Sequence, residues 1–472
     1  MQAYYNAQHY FVVPLDWIVL KLNVVVLAAG KGTRMKSARP KVLHPLAGKP
    51  LLKHVLDTAR AMHCENLQVV VGFGAEAVEA ELASDDTQFV LQKEQLGTAH
   101  AVHQALENLD TDAIALVLYG DVPLIRAATL EALVAMVDAD NMGVLTCVVD
   151  NPKGLGRIIR DNAGQILRIV EEKDATDAEK AVKEINTGFM AIPVARLKEW
   201  LPRVGANNAQ KEYYLTDLVE LALADGCRVV TSVCEDQKEV TGINDRLQLA
   251  ELERKYQQDM HEELLRNGVT LIDPARLDIR GNVDIASDVE IDINVILEGE
   301  VKIDSDARIG AGCILKNCTI GAGTVLHPYT VIEDAVIGKN CQLGPFARVR
   351  PGTEMKDTAK LGNFVEVKKA VIGEGSKVNH LSYVGDAELG KDVNIGAGTI
   401  TCNYDGVNKH KTTIGDGVFI GSNAVLVAPV ELQDGAFVAA GSTITKPVPR
   451  DSLGIGRAKQ TNIDGWKRPG KK

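Results

Sequence analysis

Side chains suited to phosphate chemistry cluster near the start of this 472-residue sequence. A glycine-rich stretch, Leu27–Arg34, directly follows an apolar run typical of a buried strand. Such a turn lets backbone N–H groups approach phosphate closely. Two cations, Arg34 and Lys41, suit a triphosphate, and Asp121 ends a second apolar run at what would be the edge of a sheet. The pattern indicates Mg²⁺-assisted nucleotidyl transfer, in which positioning and charge neutralisation supply the rate.

Two common phosphate-binding templates do not fit this stretch. The dinucleotide motif requires a third glycine, where this chain has Met35. The P-loop ends in Gly-Lys-Ser/Thr, and that ending is absent here. The loop therefore belongs to a different class of nucleotide-binding turn.

A second group of chemically capable side chains surrounds His380 in the C-terminal half. Imidazole titrates near pH ~6.5, so it can accept a proton from an amine at neutral pH. Two predicted interruptions of the local repeat flank it, at residues 351–360 and 401–411. An interruption in a regular scaffold usually reflects a requirement beyond stability, although a purely structural loop stays open as the alternative. Cys402 is a candidate nucleophile in principle, whereas the three widely separated histidines of this region do not fit a zinc site.

The element that must position this second group is a six-residue apolar repeat. It is clearest at Ile414, Ile420, Leu426, Leu432 and Val438. A period of six fits a prism-shaped solenoid with one short strand per side. Each sharp corner needs a residue that tolerates a left-handed backbone. The residues predicted at corners are Asn282, Asp288, Asn294, Asp306, Gly312, Gly323, Asn340, Gly375, Asp392, Gly398, Gly417, Asn423, Gly435 and Gly441, with departures at Glu300, Phe346, Phe364, Leu381 and Pro429.

The first group requires a different scaffold. Up to about residue 244, apolar strand-like runs alternate with helical patterns, which predicts a mainly parallel sheet covered by helices. A charged segment with apolar residues at helical spacing then predicts one long linker helix. The expected fold is therefore α/β followed by a solenoid. The predicted segments are an atypical, aromatic-rich N-terminal extension (1–22), the α/β domain (23–245), the linker helix (246–268), the solenoid (269–456) and a basic tail (457–472).

Composition limits the classes of partner and compartment. A net charge of −11 with 24% charged residues argues against nucleic acid as the main partner. The N-terminal extension lacks the pattern of a signal peptide or membrane anchor, so we expect no membrane association. Eight cysteines without a CxxC pair predict free thiols in a reducing cytoplasm, with Cys313 and Cys318 in the solenoid wall.

The N-terminal motifs resemble those of the sugar-1-phosphate nucleotidylyltransferase family. The family's start signature corresponds to Leu27–Arg34 followed by Pro40-Lys41, and its base-reading segment to Gln92 and Gln95–Ala99. The resemblance implies a Rossmann-like fold, with Asp121 and Asn244 holding Mg²⁺ and Arg34 and Lys41 acting on phosphates as catalytic residues. Further UTP- or sugar-binding residues that it implies are Leu27, Ala28, Ala29, Gly30, Gln92, Gly97, Thr98, Tyr119, Gly120, Gly156, Glu171 and Asn186.

After residue 23, nearly the whole chain resembles the bacterial bifunctional family that joins an N-acetylglucosamine-1-phosphate uridylyltransferase to a glucosamine-1-phosphate acetyltransferase. This likeness implies a left-handed parallel β-helix of hexapeptide repeats, with His380 as general base and Glu366 orienting it. Residues implied for the amino-sugar substrate are Arg350, Lys368, Tyr383, Asn394 and Lys409. Residues implied for acetyl-CoA are Ala397, Asn403, Tyr404, Ser422, Ala440 and Arg457.

The same resemblance implies two consecutive reactions on small molecules. Glucosamine 1-phosphate is acetylated by acetyl-CoA, and UMP from UTP is then transferred to give UDP-N-acetylglucosamine and pyrophosphate. Related hexapeptide acetyltransferases are trimers, so a cytoplasmic homotrimer that supplies cell-wall and lipopolysaccharide synthesis is expected. The alternative is a single-activity sugar-1-phosphate nucleotidylyltransferase whose β-helix serves only oligomerisation.

Overall fold

The computed structural model describes residues 21–470. The predicted N-terminal extension lies outside the described residues apart from Lys21 and Leu22, as do the last two residues of the basic tail. The described residues form two compact units that divide between Leu252 and Glu253, inside the predicted linker helix. The finer five-part division stays a prediction. Within residues 21–470, no helix combines the length and apolarity needed to cross a lipid bilayer.

The first unit is built on a nine-stranded mixed sheet. Its strands are β1 (Lys21–Ala28), β2 (Asn66–Val71), β3 (Thr87–Leu91), β4 (Ala113–Tyr119), β5 (Asn141–Val148), β6 (Arg157–Arg160), β7 (Ile166–Val170), β8 (Glu184–Pro193) and β9 (Arg228–Cys234). A separate two-stranded hairpin joins Pro45–Leu46 to Lys49–Pro50. The helices are α1 (Leu51–Ala61), α2 (Ala75–Leu82), α3 (Thr98–Ala105), α4 (Ala127–Val134), α5 (Asp177–Lys180), α6 (Val194–Trp200) and α7 (Leu218–Ala224). Short 3-10 turns lie at Thr33–Met35, Lys41–Leu43, Leu106–Asn108, Leu201–Arg203 and Leu215–Asp217.

The order of the main strands across the sheet is β9-β5-β8-β4-β1-β2-β3. Strand β1 pairs in parallel with β2 and β4, as the alternating sequence pattern predicts. Strand β8, in contrast, runs antiparallel between β4 and β5. Successive residues of β1 enter two separate cores: Val24 and Val26 face one with α1 and α4, and Val25 faces the other with α3 and α6. The sheet is therefore covered on both faces.

The predicted linker helix is α8, Arg246–Arg266. Its C-terminal part belongs to the second unit, where Gln257 is 1% exposed. The Gln257 carboxamide donates to the Ile279 carbonyl at 2.6 Å and accepts from the Ile279 N–H at 3.0 Å. A side-chain amide thus takes the place of a neighbouring strand for the first coil of the solenoid. This pairing satisfies backbone groups that would otherwise be buried without a partner.

His261, one turn further along α8, predicts a pH-dependent stability of the second unit. Its ring is 4% exposed, and burial lowers its pKa below the usual 6.5. Since the folded state binds the proton less readily than the unfolded state, this contribution is complete above pH ~6.5 and is lost as pH falls through the folded-state pKa. We expect the melting temperature of the wild type to fall more steeply than that of His261→Leu between pH 7 and pH 5. If calorimetry shows the same fall in melting temperature for both proteins between pH 7 and pH 5, the expectation is contradicted.

The second unit is a solenoid of short parallel strands, and it confirms the predicted left-handed parallel β-helix fold class. A 3-10 turn at Pro274–Arg276 precedes the first complete coil. One sheet contains Thr270–Leu271, Glu290–Ile291, Arg308–Ile309, Val325–Leu326, Gln342–Leu343, Lys360–Asn363, Lys377–His380, Asn394–Ile395, Phe419–Ile420, Phe437–Val438 and Leu453–Gly454. The other contains Leu277–Ile285, Val295–Ile303, Ile314–Ile320, Val331–Ile337, Arg348–Val349, Thr353–Met355, Glu366–Ile372, Tyr383–Leu389, Ile400–Cys402, Thr412–Ile414, Val425–Val427, Val430–Leu432 and Thr443–Ile444.

The six-residue apolar repeat and its corners are largely as predicted. Leu297 lies opposite Leu315 of the next coil, three hexads later, and both are fully buried. Every predicted corner residue has a positive φ except Asn282. The five predicted departures differ among themselves. Phe346, Phe364 and Leu381 do turn with positive φ, the corner expected at Glu300 is made by Gly299 (φ 71°), and Pro429 follows a cis peptide bond.

The prediction of an interruption at residues 351–360 is wrong. Val349, Met355 and Leu361 keep the six-residue step, and each is 2% exposed or less. The proline and charged residues of this segment therefore sit on outward positions without disturbing the coil. The interruption at 401–411 is confirmed, because Ile400 pairs with Val425, a spacing well beyond the eighteen residues of a regular coil. Cys313 and Cys318 are buried in the wall as predicted.

Candidate functional sites

Two parallel strands bring the first group of predicted side chains together. Residues Leu27 and Tyr119 are paired across β1 and β4, and the Gly120 N–H donates to the Leu27 carbonyl at 3.0 Å. The glycine-rich loop and Asp121 therefore leave the sheet side by side at the carboxyl ends of adjacent strands. Ligands of open α/β sheets bind at this edge.

A pocket of about 260 Å³ opens at this edge. It unites most of the residues predicted for UTP: Leu27, Ala28, Ala29, Gly30, Lys41, Gln92, Gly97, Thr98, Tyr119 and Asp121. Val42, Ala101 and Glu212 also line it and were not anticipated. Glu212 comes from a distant loop, and no local motif marked it.

The charged end of this pocket combines two cations with two hard oxygen ligands. The Lys41 ammonium forms an ion pair with Asp121, and both side chains are less than one-fifth exposed. Asn244 Oδ1 accepts from Arg34 Nη2 at 2.8 Å and from Lys41 Nζ at 3.4 Å. A positive charge thus already sits between the Asp121 carboxylate and the Asn244 amide oxygen. Oxygen donors of this kind are those that Mg²⁺ prefers, and Mg²⁺ usually takes only one or two protein ligands beside phosphates and water.

The other end of the pocket is shaped by a close backbone approach. Gly97 has φ 121°, and a Cβ there would lie 2.4 Å from the Tyr213 carbonyl oxygen. The Tyr213 N–H donates to the Leu96 carbonyl at 2.8 Å, and the Leu215 N–H donates to Thr98 Oγ1 at 2.9 Å. The segment after Glu212 therefore holds the Gly97–Thr98 turn in place.

This packing predicts a selective defect in Gly97→Ala. A methyl group at this position clashes with the Tyr213 backbone and strains φ, so the turn that lines the pocket must move. For a nucleotide pocket of the predicted kind, we expect the KM for the nucleotide to rise about 10-fold or more, because misplacement of about 1 Å is costly in positioning catalysis. The reaction predicted for the second unit should be unchanged. Gly205→Ala, whose Cβ would meet nothing closer than 3.9 Å, is the matched control.

The residues predicted for the sugar lie near one another beside Tyr119. The Asn186 N–H donates to the Gly156 carbonyl at 2.9 Å, and a Cβ on Gly156 would lie 3.2 Å from Glu171 Oε1. Burial raises the pKa of Glu171, and the nearby Asp174 and Asp217 carboxylates add to the shift. Burial likewise raises the pKa of Tyr119, with Glu171 and Asp121 as further causes. The Glu171 carboxyl is therefore partly shielded from water and suited to hydrogen bonds with hydroxyl groups.

Two hydroxyls in this region were missed by sequence reasoning. Tyr214 OH and Thr216 Oγ1 are buried, and neither has a hydrogen-bond partner among the described residues. Burial raises the pKa of Tyr214 to about 12 and that of the neighbouring Asp217 to about 6. No motif in the sequence pointed to them, since only the fold brings this segment to Glu171.

The second group lies on adjacent coils of the β-helix and begins with a cluster of cations. The pKa of Lys368 is lowered first by the neighbouring Lys409 ammonium and then by Arg350. Three neighbouring cations create a positive local potential, which favours an anion such as a phosphate. Arg350 Nη1 also donates to Glu366 Oε1 at 2.7 Å. The expectation that Glu366 orients His380 is therefore wrong, because its carboxylate pairs with Arg350.

His380 is instead held by Asn363, which sequence reasoning did not select. The two residues are paired across adjacent coils, and His380 Nδ1 lies 2.8 Å from Asn363 Oδ1. With the Asn363 amide oxygen facing the ring, Nδ1 donates to it, and the neutral form of the ring then has its lone pair on Nε2. The ring is exposed at the end of its strand, immediately before the Leu381 corner (φ 48°).

The confirmed insertion forms a small ordered loop beside this cluster. Tyr404 bridges antiparallel to Lys409, which turns the chain back on itself. Asp405 accepts backbone N–H groups from Asn408 at 2.6 Å and Val407 at 2.8 Å. These hydrogen bonds, together with that from His410, hold the pKa of Asp405 well below its usual range. The base of the loop is fixed where the buried Asn403 amide donates to Asp386.

The residues predicted for acetyl-CoA form a column along one corner of the β-helix. The Ala397 carbonyl accepts from the Asn423 N–H at 2.7 Å, and the Ser422 carbonyl accepts from the Gly441 N–H at 2.8 Å. Arg457 Nη1 donates to the Ala440 carbonyl at 2.7 Å.

Two residues predicted for the amino sugar lie on strands of the β-helix. Tyr383 is paired with Glu366, and Asn394 with Lys377, on neighbouring coils.

A groove of about 810 Å³ lies elsewhere in the second unit, and none of the predicted substrate- or cofactor-binding residues line it. The polar side chains that line it form hydrogen bonds with one another: Asn282 donates to Glu300 at 2.6 Å, and Asn317 donates to Asp334 at 3.1 Å. These hydrogen bonds connect adjacent coils at a corner of the solenoid.

Comparison with known proteins agrees with both halves. Residues 24–184 match the MobA-like NTP transferase domain, 279–355 the GMPPB C-terminal domain and 411–446 the bacterial transferase hexapeptide (six repeats). The chain is 54% identical to the bifunctional protein GlmU of Marinobacter nauticus, over 95% of this chain and 99% of that protein. It is 55% identical to the proteins of the same name from Pseudomonas putida (96% and 99%) and Cellvibrio japonicus (96% and 100%).

The chain belongs to the bifunctional GlmU family. Identity above 50% over nearly the full length of these relatives, with both a nucleotidyltransferase domain and a hexapeptide domain, decides this. The predicted function is confirmed at this level: the chain is a bifunctional transferase with uridylyltransferase and acetyltransferase activities.

Proposed function

We propose that the two sites of this GlmU-family enzyme act in succession on an amino sugar 1-phosphate. The β-helix unit acetylates glucosamine 1-phosphate, and the sheet unit then transfers UMP to the product, which gives UDP-N-acetylglucosamine. The observation that carries the proposal is the cluster of Arg350, Lys368 and Lys409 on the coils around His380. It supports an anionic substrate at the site of the proposed base. By this scheme the enzyme works in the cytoplasm and supplies cell-wall and lipopolysaccharide synthesis, and thereby cell shape.

In the acetyl transfer step, the amine nitrogen attacks the thioester carbonyl of acetyl-CoA. A C–N bond forms, the C–S bond breaks, and CoA leaves. His380 Nε2 takes the proton of the attacking nitrogen, because Asn363 holds the proton on Nδ1. The three cations neutralise the sugar phosphate, Tyr383 and Asn394 hold the sugar, and the backbone column at Ala397, Ser422 and Ala440, with Arg457, binds CoA. Asn403 and Tyr404 polarise the acetyl carbonyl.

In the uridylyl transfer step, a phosphate oxygen of N-acetylglucosamine 1-phosphate attacks the α-phosphorus of UTP. A new P–O bond forms at the α-phosphorus, the bond from this phosphorus to the oxygen that bridges the α- and β-phosphates breaks, and pyrophosphate leaves. Arg34 and Lys41 neutralise the phosphates, while Glu171 and Asn186, with the backbone of Gly156, hold the sugar. Asp121 and Asn244 would hold Mg²⁺, since their oxygens already flank the Lys41 ammonium. When bound, the metal ion supplies charge neutralisation at the phosphates.

We propose a homotrimer because the resemblance to hexapeptide acetyltransferases implies one, and an exposed column of side chains supports an interface between copies. Tyr329, Phe346, Phe364 and Leu381 occupy successive corners, with positive φ and exposed fractions of 57%, 49%, 57% and 62%. The first three rings are stacked, with centroids 5.3 Å and 5.5 Å apart. Bulky residues in this conformation cost about 1–3 kcal/mol each, so an exposed column of them favours burial against further copies.

Light scattering after size exclusion tests the oligomer. We expect a trimer for the wild type and dissociation in Phe346→Asp, whereas Phe419→Asp, outside the column, should stay trimeric. A monomeric wild type would refute the proposal.

The two-step function is tested by supplying glucosamine 1-phosphate, acetyl-CoA, UTP and Mg²⁺. We expect free CoA, pyrophosphate and UDP-N-acetylglucosamine, and no nucleotide sugar if acetyl-CoA is left out. If CoA is never released while added N-acetylglucosamine 1-phosphate is still uridylylated, the single-activity alternative holds.

A further inference from the structure

The carboxamide of Gln92 has a fixed orientation in the nucleotide pocket. Gln92 is 3% exposed, and its Nε2 lies 3.3 Å from the Gly97 carbonyl oxygen and 3.0 Å from His100 Nδ1. A backbone carbonyl can only accept, so the atom facing it must be the NH₂ group. The Gly97 carbonyl therefore favours one orientation of the amide, with the NH₂ group toward the backbone.

The same contacts fix the state of His100. Amide NH₂ groups approach both ring nitrogens, and Gln92 Nε2 makes the shorter contact, 3.0 Å to Nδ1. We therefore take Nδ1 as the acceptor, and the neutral ring then carries its proton on Nε2. Gln104 Nε2 lies 3.3 Å from His100 Nε2 and 3.1 Å from the His100 carbonyl oxygen. It donates to the carbonyl, and its approach to the protonated Nε2 is a packing contact. The ring also lies beside Tyr213, with centroids 6.5 Å apart.

Both hydrogens of the Gln92 amide are thus used within the protein. Among the contacts of residues 21–470, none occupies Oε1. Gln92 lines the pocket, so the group left to meet a ligand is an acceptor. If His100 offered no acceptor, only the long 3.3 Å contact with the Gly97 carbonyl would oppose rotation of the amide, and a donor could then face the ligand more readily.

We propose that His100 is a positioning residue that makes the pocket select a nucleobase with a ring N–H on its pairing edge. Uracil presents N3–H, which the Gln92 oxygen can accept. Cytosine presents an unprotonated N3 there, so two acceptors would face each other without a proton. A site built around a buried polar group rejects a mismatched ligand strongly, because that group stays unpaired. This inference rests on the proposed uridylyl transfer and on the base-reading role that the family resemblance implies for Gln92.

The test compares kcat/KM for UTP and CTP, with N-acetylglucosamine 1-phosphate as the second substrate. In His100→Leu the acceptor is lost, and we expect the UTP-to-CTP ratio to fall about 10-fold or more, mainly through KM. In His100→Asn an amide oxygen can stand where Nδ1 lies, so the ratio should be largely retained. Gln104→Leu is the matched control, because it removes only the packing contact and should leave the ratio unchanged. A calorimetric melting profile like that of the wild type reports that the first unit, which carries these residues, is folded in each variant.

The outcomes separate this inference from the function on which it rests. An unchanged ratio in His100→Leu, even with a lower kcat, would overturn it, as would an equal loss in His100→Asn. If Gln92→Leu leaves both kcat/KM and the ratio unchanged, the placement of the base at Gln92 is wrong instead.

Discussion

His380→Ala is expected to lower kcat for acetyl transfer by about 10²–10⁴-fold, the usual contribution of a positioned general base. The KM for glucosamine 1-phosphate should change little, because Arg350, Lys368 and Lys409 remain to bind its phosphate. Uridylyl transfer from N-acetylglucosamine 1-phosphate should keep its wild-type rate. CoA release and pyrophosphate release, measured separately on the same preparation, check both halves of this prediction.

Two further variants make the result specific to the base. His327→Ala removes another exposed β-helix histidine and should be silent in both assays. Asn363→Ala frees Nδ1 of His380 and should reduce kcat less than loss of the imidazole, while altering its pH profile. If His380→Ala retains more than about a tenth of the wild-type kcat, His380 is not the general base.

Asp121→Asn is expected to lower uridylyl transfer by about 10²–10³-fold, the scale typical of one charge-stabilising group in an active site. The substitution keeps the shape of the side chain and one of its oxygens. It removes the negative charge that pairs with Lys41 and that would help to hold Mg²⁺. Pyrophosphate release at increasing Mg²⁺ should show a higher metal requirement, while CoA release stays normal.

Asp112→Asn is the matched control for this charge change. Asp112 is 73% exposed and forms a 3.6 Å ion pair with Lys21, a type of contact that contributes little. Both activities should therefore be unchanged. A wild-type Mg²⁺ requirement in Asp121→Asn would remove this residue from the proposed metal site.

Local chemistry explains why so much of the β-helix could be predicted. The left-handed backbone of a corner favours residues such as Asn294 or Gly312. The six-residue step requires an apolar residue, such as Leu297, at each inward position. The error at residues 351–360 had a physical cause as well. Pro351 and the charged residues there looked disruptive, yet outward positions of a coil tolerate them as long as Met355 fills the inward one.

The phosphate loop was equally accessible, because a glycine-rich turn after a buried strand needs only neighbouring residues. Its partner Asp121 could be inferred since parallel strands end at a common edge. The antiparallel insertion of β8 could not, because strand order across a sheet depends on pairing between distant segments.

The sequence alone was enough to establish most of the corners, the inward apolar residues, the phosphate loop and the identity of the chemically capable side chains, all of which follow from short-range rules. Folding in three dimensions decided the remainder. It paired Glu366 with Arg350 and His380 with Asn363. It also brought Glu212 to the nucleotide pocket and His100 against Gln92, which lines that pocket. Each of these contacts joins residues on different turns or coils, and its geometry is set by packing rather than by spacing along the chain.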